Sequence, residues 1–256
     1  MALPPPAVLV FPAAVLGLVL GSFTTALSYR QPRGQSIAHG RSCCPACGHV
    51  LGVADLVPVL SWVAQRGACR HCGAPISARY PVIELTMMAL FAAGVWTVTG
   101  GAQLLILAAA TVVTVTLGII DLEQQRLPNV LLAVLAVLSL AWRWTTDHAW
   151  APGLVAAVAI FAVCVMLNAG HKAATGREGL GMGDTKLLAL AALAFPIGPL
   201  LVFFTTAGFL GTLFGLWWRW RWGAGGFPFG PPILAAYWLS LVYGPQAFAL
   251  LAERLS

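Results

Sequence analysis

Cysteine (six) and acidic side chains (eight) are scarce in this 256-residue chain, and two groups among them carry meaningful spacing. Asp121 closes an apolar run in GIIDLEQQRLPN, and Asp184 opens another in GMGDTK. A carboxylate at the edge of hydrocarbon is costly to ionise and calls for a partner, water or a proton. If the two acids meet, like-charge repulsion separates their macroscopic pKa values and leaves one proton shared between them. One can then act as base toward water and the other as acid toward a departing amine, which is chemistry suited to peptide hydrolysis. The residues alone leave a second reading of Asp184 open, as a cap on the helix it begins. Lys186 is a poor ion-pair partner for it, because positions two apart on a helix face different directions. The glycines of GLGMGD resemble a nucleotide loop, but no strand precedes them. Asp55, Asp147 and Glu253 occupy bland positions.

The second group is Cys44 and Cys47 in CPAC with Cys69 and Cys72 in CRHC, two C-x-x-C pairs separated by 21 residues. This is the spacing of zinc knuckles, and Gly48 and Gly73, one after each pair, let the backbone turn around a metal. Four thiolates would close a tetrahedral site, so the zinc would be structural. A segment this small has little core without such a staple. Disulfides or a redox pair are the competing readings, and a cytoplasmic location disfavours lasting disulfides. Cys43, His49 and His71 lie close enough to substitute as ligands. Cys164, in the middle of an apolar run, reads as packing.

These residues must be positioned by membrane helices. With 59% hydrophobic residues, 9% charged and a mean hydropathy of +0.86, the chain is far from a soluble composition. Apolar runs cover 7 to 28, 82 to 99, 102 to 120, 129 to 145, 151 to 168, 185 to 196, 198 to 217 and 231 to 250, the sixth being short. The expectation is an all-α polytopic membrane protein of about eight transmembrane helices, with a small cytoplasmic four-Cys zinc-binding domain between helices 1 and 2. The parts are 1–29, a first helix read as a retained span rather than a cleaved signal; 30–80, the zinc domain; and 81–256, the remaining helices with both aspartates. With the amino terminus outside, 12 of the 14 Lys and Arg residues face inward and only Arg143 and Arg254 face outward. Asp121 and Asp184 then fall at one cytoplasmic boundary. The net charge of +6 describes orientation. The cluster Trp217-Trp218-Arg219-Trp220-Arg221-Trp222 reads as an interfacial belt, and no nucleic-acid partner is expected.

Taken in order, GSFTTALSYRQP, CPAC with CRHC, ISARYPVIELT, IIDLEQQRLPN, GMGDTKLLALAAL and FPFGPP resemble the bacterial type IV prepilin peptidases, a leader peptidase and N-methyltransferase family of membrane aspartic proteases. The likeness covers nearly the whole chain. It implies Asp121 and Asp184 as catalytic aspartates, Cys44, Cys47, Cys69 and Cys72 as ligands of a structural zinc, and S-adenosylmethionine as methyl donor. It implies a multi-pass protein of the bacterial cytoplasmic (inner) membrane, with active site and zinc domain facing the cytoplasm. Its partners would be the bilayer and prepilins or pseudopilins, cleaved at the junction of basic leader and apolar helix. Asn129 departs from a position that is often acidic. Arg79 and Glu84 are polar candidates for the methyl-transfer site, and Glu123 and Glu178 for contact with the leader. Other classes compete: a zinc-dependent intramembrane protease, which would need an open metal site and an H-E-x-x-H that the sequence lacks, and a transporter or pilus-assembly scaffold.

Overall fold

A computed structural model describes residues 4–37, 39–98, 100–177, 179–223 and 226–255. Its helices are α1 (Pro6–Arg30), α2 (Leu60–Ala64), α3 (Arg79–Gly94), α4 (Gly101–Gln124), α5 (Asn129–Thr146), α6 (Trp150–Thr175), α7 (Met182–Ala194), α8 (Ile197–Trp222) and α9 (Gly230–Leu255). Every apolar run has its helix, and the short α2 is an addition the sequence did not announce. Among the described residues six helices are long and apolar enough to cross a membrane: α1 with its 3-10 extension to Arg33, α4, α5, α6, α8 and α9. At 16 and 13 residues, α3 and α7 fall below the ~20 needed for a span.

Helix ends differ from the apolar runs where polar residues still favour helix. The run ending at 168 continues through Gly170 as α6 to Thr175, and ends at Gly176, whose left-handed backbone (φ 72°) returns its N–H to Lys172 O. The last turns of α8 absorb the Trp and Arg cluster up to Trp222. α3 stops at Gly94, short of the expected 99.

By packing the chain divides into two compact units, Met1–Trp96 and Thr97–Ser256. A division by polarity cuts near 81; by packing, α3 belongs with α1, against which it lies. In the second unit α4 packs on α5 and α9, α8 on α9, and α7 is held among α5, α6 and α9. Alanine makes that enclosure possible: Ala191, Ala192 and Ala194 of α7 are completely buried. Polar side chains tie the bundle together. Trp238 Nε1 donates to Thr111 Oγ1 (2.8 Å), Ser139 Oγ pairs with Tyr237 Oη (2.7 Å), and Arg143 donates to Phe195 O (2.8 Å) while pairing with Asp147 (2.8 Å). Such bonds between membrane helices contribute about 1 kcal/mol each.

Candidate active site and metal centre

The cysteine module is built from two copies of one turn. Cys44 N–H bonds to His49 O and Gly48 N–H to Cys44 O, both at 2.9 Å; Cys69 N–H bonds to Ala74 O and Gly73 N–H to Cys69 O, both at 2.8 Å. Gly48 and Gly73 hold φ of 70° and 72°, a conformation that a side chain resists. The sulfurs of Cys44, Cys47, Cys69 and Cys72 lie within 4.8 Å of one another, with Cys44 and Cys72 3.9 Å apart. Ligands about 2.3 Å from a tetrahedral zinc would stand about 3.8 Å apart, so the set fits a closed metal site. No pair is joined as a disulfide. The Cys47 and Ala46 amides bring the Cys44 thiol down to about 7. At Cys72 the Ala74 amide acts to lower the thiol, but desolvation and the neighbouring sulfurs push it up to about 11. A dication bound in place of the thiol protons would relieve the repulsion that holds the Cys72 thiol up.

The neighbouring candidates fall outside the set. Cys43 is exposed and Cys164 lies in α6. His49 and His71 stack on each other, ring centroids 3.5 Å apart. Asp55 turns out to organise the module, accepting Gly52 N–H (2.9 Å) and Gln65 Nε2 (3.2 Å) and pairing with Arg70 (2.7 Å).

Arg79 and Glu84 are both engaged within this first unit. Arg79 donates to Ser28 Oγ at 2.8 Å. Glu84 is buried, 6% exposed, and accepts Val59 N–H at 2.7 Å and the Ser22 hydroxyl. Val59 itself is the centre of a γ-turn (φ 61°, ψ −51°) closed by Leu60 N–H to Pro58 O. A β-branched residue in that conformation is strained by about 1–3 kcal/mol and persists only where its surroundings hold it. The carboxylate supplies that hold, which makes Glu84 a structural brace.

The aspartates lie in the second unit. Asp121 sits near the end of α4, 5% exposed, and its Oδ2 accepts Gly230 N–H at 3.0 Å. α4 stops immediately beyond it, because Gln125 takes a left-handed conformation (φ 51°) and returns its N–H to Asp121 O. Asp184 lies in the first turn of α7, half-buried. It does not cap α7: the cap position is Gly181, and no side chain bonds the free amides there. Nor does Lys186 pair with it; Lys186 Nζ donates to Asn129 Oδ1 at 2.7 Å, tying the starts of α5 and α7. α4 and α7, which carry the two aspartates, both pack on α9. The two carboxylates thus stand at the ends of two helices that share α9 as a neighbour, 63 residues apart in sequence. Glu123 is exposed on α4, and Glu178 lies outside the described residues. Sequence reasoning missed the roles of Gly230 and Arg143. FPFGPP marks the place of Gly230 without its purpose, and Arg143 reads in the sequence as a lone outward charge.

Fold and site define a multi-pass helical membrane protein that carries its two helix-end aspartates and its thiol cluster in separate units. Residues 15–98 match the Bacterial Peptidase A24 N-terminal domain, and residues 106–216 match the Type IV leader peptidase family. The chain is 35% identical to a prepilin leader peptidase/N-methyltransferase of Burkholderia pseudomallei (strain K96243), over 93% of this chain and 87% of that protein. It is 36% identical to the protein of that name from Aeromonas hydrophila (80% and 72% covered) and 32% identical to that of Bacillus subtilis (strain 168) (78% and 79% covered). No solved structure matches it. The chain belongs to the type IV leader peptidase family.

Proposed function

We propose that this protein cleaves the leader from type IV prepilins or pseudopilins with Asp121 and Asp184, and methylates the amine that cleavage exposes. The observation that carries the reading is the placement of Asp121, seated on the Gly230 amide, and Asp184, in the first turn of α7, at the ends of two helices that both pack on α9, in a chain whose relatives bear the name prepilin leader peptidase/N-methyltransferase. One aspartate takes a proton from water as the water oxygen bonds to the scissile carbonyl carbon. The other gives its proton to the leaving nitrogen as the C–N bond breaks. Proton count is conserved, and the pair exchanges roles before the next turnover.

The eight-helix path, with α3 and α7 completing the crossings, puts the amino terminus outside and the pair at the inner boundary of the bacterial cytoplasmic membrane, and the inward excess of Lys and Arg supports it. An apolar substrate helix lying in the bilayer would present its amino-terminal peptide bond at that depth, and Glu123 is an acidic contact for the basic leader. Cys44, Cys47, Cys69 and Cys72 would hold a structural zinc, which would cross-link the two knuckles. S-adenosylmethionine, bound as co-substrate, supplies the methyl group. Arg79 and Glu84 serve this half of the reaction as scaffold, since both are engaged within the first unit.

The test is incubation of the purified full chain, in bilayer, with a prepilin and methyl donor, read by mass. A loss equal to the leader followed by a methyl increment is expected. An unchanged substrate overturns the peptidase reading in favour of a scaffold or transporter.

A further inference from the structure

The donor that holds Asp121 is a backbone amide, and the surroundings of that amide are unusually specific. Gly230 is the first residue of α9, so its N–H has no acceptor within the helix and is available to the carboxylate. A Cβ at Gly230 would lie 2.6 Å from Asp121 Oδ2 and 3.0 Å from its Cγ. The carboxylate is therefore seated on a stretch of backbone that only glycine leaves bare. The preceding aromatic residues are fixed in turn. A Cβ at Gly211 of α8 would overlap Cε2 of Phe229, and one at Gly215 would stand 3.3 Å from Cζ of Phe227. A G-x-x-x-G face in an apolar helix ordinarily receives another helix. Here the two rings of the chain's own 227–229 segment fill it.

We propose that Gly230 is the positioning residue for Asp121, and that Phe229 seated on Gly211 sets where the Gly230 amide stands. The inference rests on Asp121 belonging to the catalytic pair. With Oδ2 tied to a fixed amide, the carboxylate keeps one rotation, and its other oxygen is left to meet the attacking water. Among the described residues no hydrogen bond reaches the Asp184 carboxylate, so the amide on the Asp121 side is what orients the pair. Chemistry between two carboxylates and a water depends steeply on alignment.

The test uses the full chain in nanodiscs with a prepilin as substrate. Gly230→Ala is expected to lower kcat about a hundredfold, with KM held within about twofold, because a displacement near 1 Å costs on that order. Gly211→Ala, which moves the ring and only through it the amide, is expected to lower kcat about tenfold. Adding Phe229→Leu to Gly211→Ala makes room for the new methyl, and most of the lost kcat should return. Methylation of a pre-cleaved pilin should stay at the parental rate in all three, which separates a displaced carboxylate from an unfolded chain. Parental kcat in Gly230→Ala, alongside an inactive Asp121→Asn, overturns the positioning role and leaves the catalytic pair standing. An Asp121→Asn enzyme that still cleaves overturns the pair itself. If Gly230→Ala loses methylation as well, the Gly211→Ala series decides: failure of Phe229→Leu to restore cleavage sinks the proposal, and restoration supports it.

Discussion

The two units place their chemistry-bearing side chains by opposite means. In Met1–Trp96 four cysteines are brought together by two near-identical local turns, each closed by hydrogen bonds between residues only a few positions apart. In Thr97–Ser256 the two aspartates are carried on α4 and α7, each packed on α9, and the amide that holds Asp121 comes from 109 residues away. A local device is robust to changes elsewhere and is written as a motif. A bundle device ties its geometry to every helix that shapes it, and most of those residues carry no signature of their own.

The sharpest way to break the comparison is at the acids. Asp121→Asn and Asp184→Asn should each lower leader cleavage by about 10²–10⁴-fold, because the amide keeps the shape but cannot exchange the proton. Metal content and methylation of a pre-cleaved pilin should persist, and cleavage at ordinary rates in either variant removes that residue from the pair. Next come the thiols. Cys44→Ser or Cys72→Ser should take bound zinc, measured by elemental analysis, from one equivalent toward none and open residues 30–80 to protease. Methylation should fall further than cleavage, because the aspartates are carried by the other unit. Parallel loss of both activities would show that the module also holds substrate, and normal methylation without zinc would remove it from that reaction.

Smaller effects sharpen the contrast between local and bundled order. Glu84→Ala leaves the Val59 amide without its acceptor and should destabilise the first unit by about 1–3 kcal/mol, visible as faster amide exchange across residues 57–63. Glu84→Gln, which keeps an acceptor, should recover much of that protection; equal exchange in both variants would mean the carboxylate is not the brace. Smallest is the exposed contact between Lys186 and Asn129. Lys186→Met should cost under about 1 kcal/mol and leave cleavage within about twofold, whereas a large loss would mean that Lys186 acts on Asp184 or substrate.

What could be read in advance follows the same divide. The knuckles were legible because their ligand spacing and glycines lie within a few residues, and the helices because lipid demands long apolar runs. Asp121 and Asp184 stood out in the sequence because each interrupts an apolar run, and each indeed lies near a helix end, Asp121 on α4 and Asp184 on α7. Gly230 was not, because a backbone donor is the same in every sequence and only packing selects which one points at a carboxylate. The brace at Glu84 was hidden for a related reason: its partner is the amide of Val59, in a turn that no propensity favours. Arg143 misled by its type, since a positive charge suggests a water-facing loop, yet it is 5% exposed and binds the carbonyl where α7 ends.

The shortness of α7 has a consequence for the lipid. Thirteen residues rise about 20 Å, whereas a bilayer's hydrocarbon is ~30 Å thick. On the eight-helix path, the chain crosses at α7 with about 10 Å of helix missing, so the polar turn before Met182 or the turn at Phe195-Pro196 must sit at a depth that the neighbouring helices give to lipid tails. Such hydrophobic mismatch is relieved by local thinning of the membrane and by admission of water beside the short helix. Asp184 stands at the end of that helix. The same truncation that lets α7 nest among its neighbours would thereby let water reach Asp184 below the ordinary aqueous boundary, as the proposed hydrolysis requires.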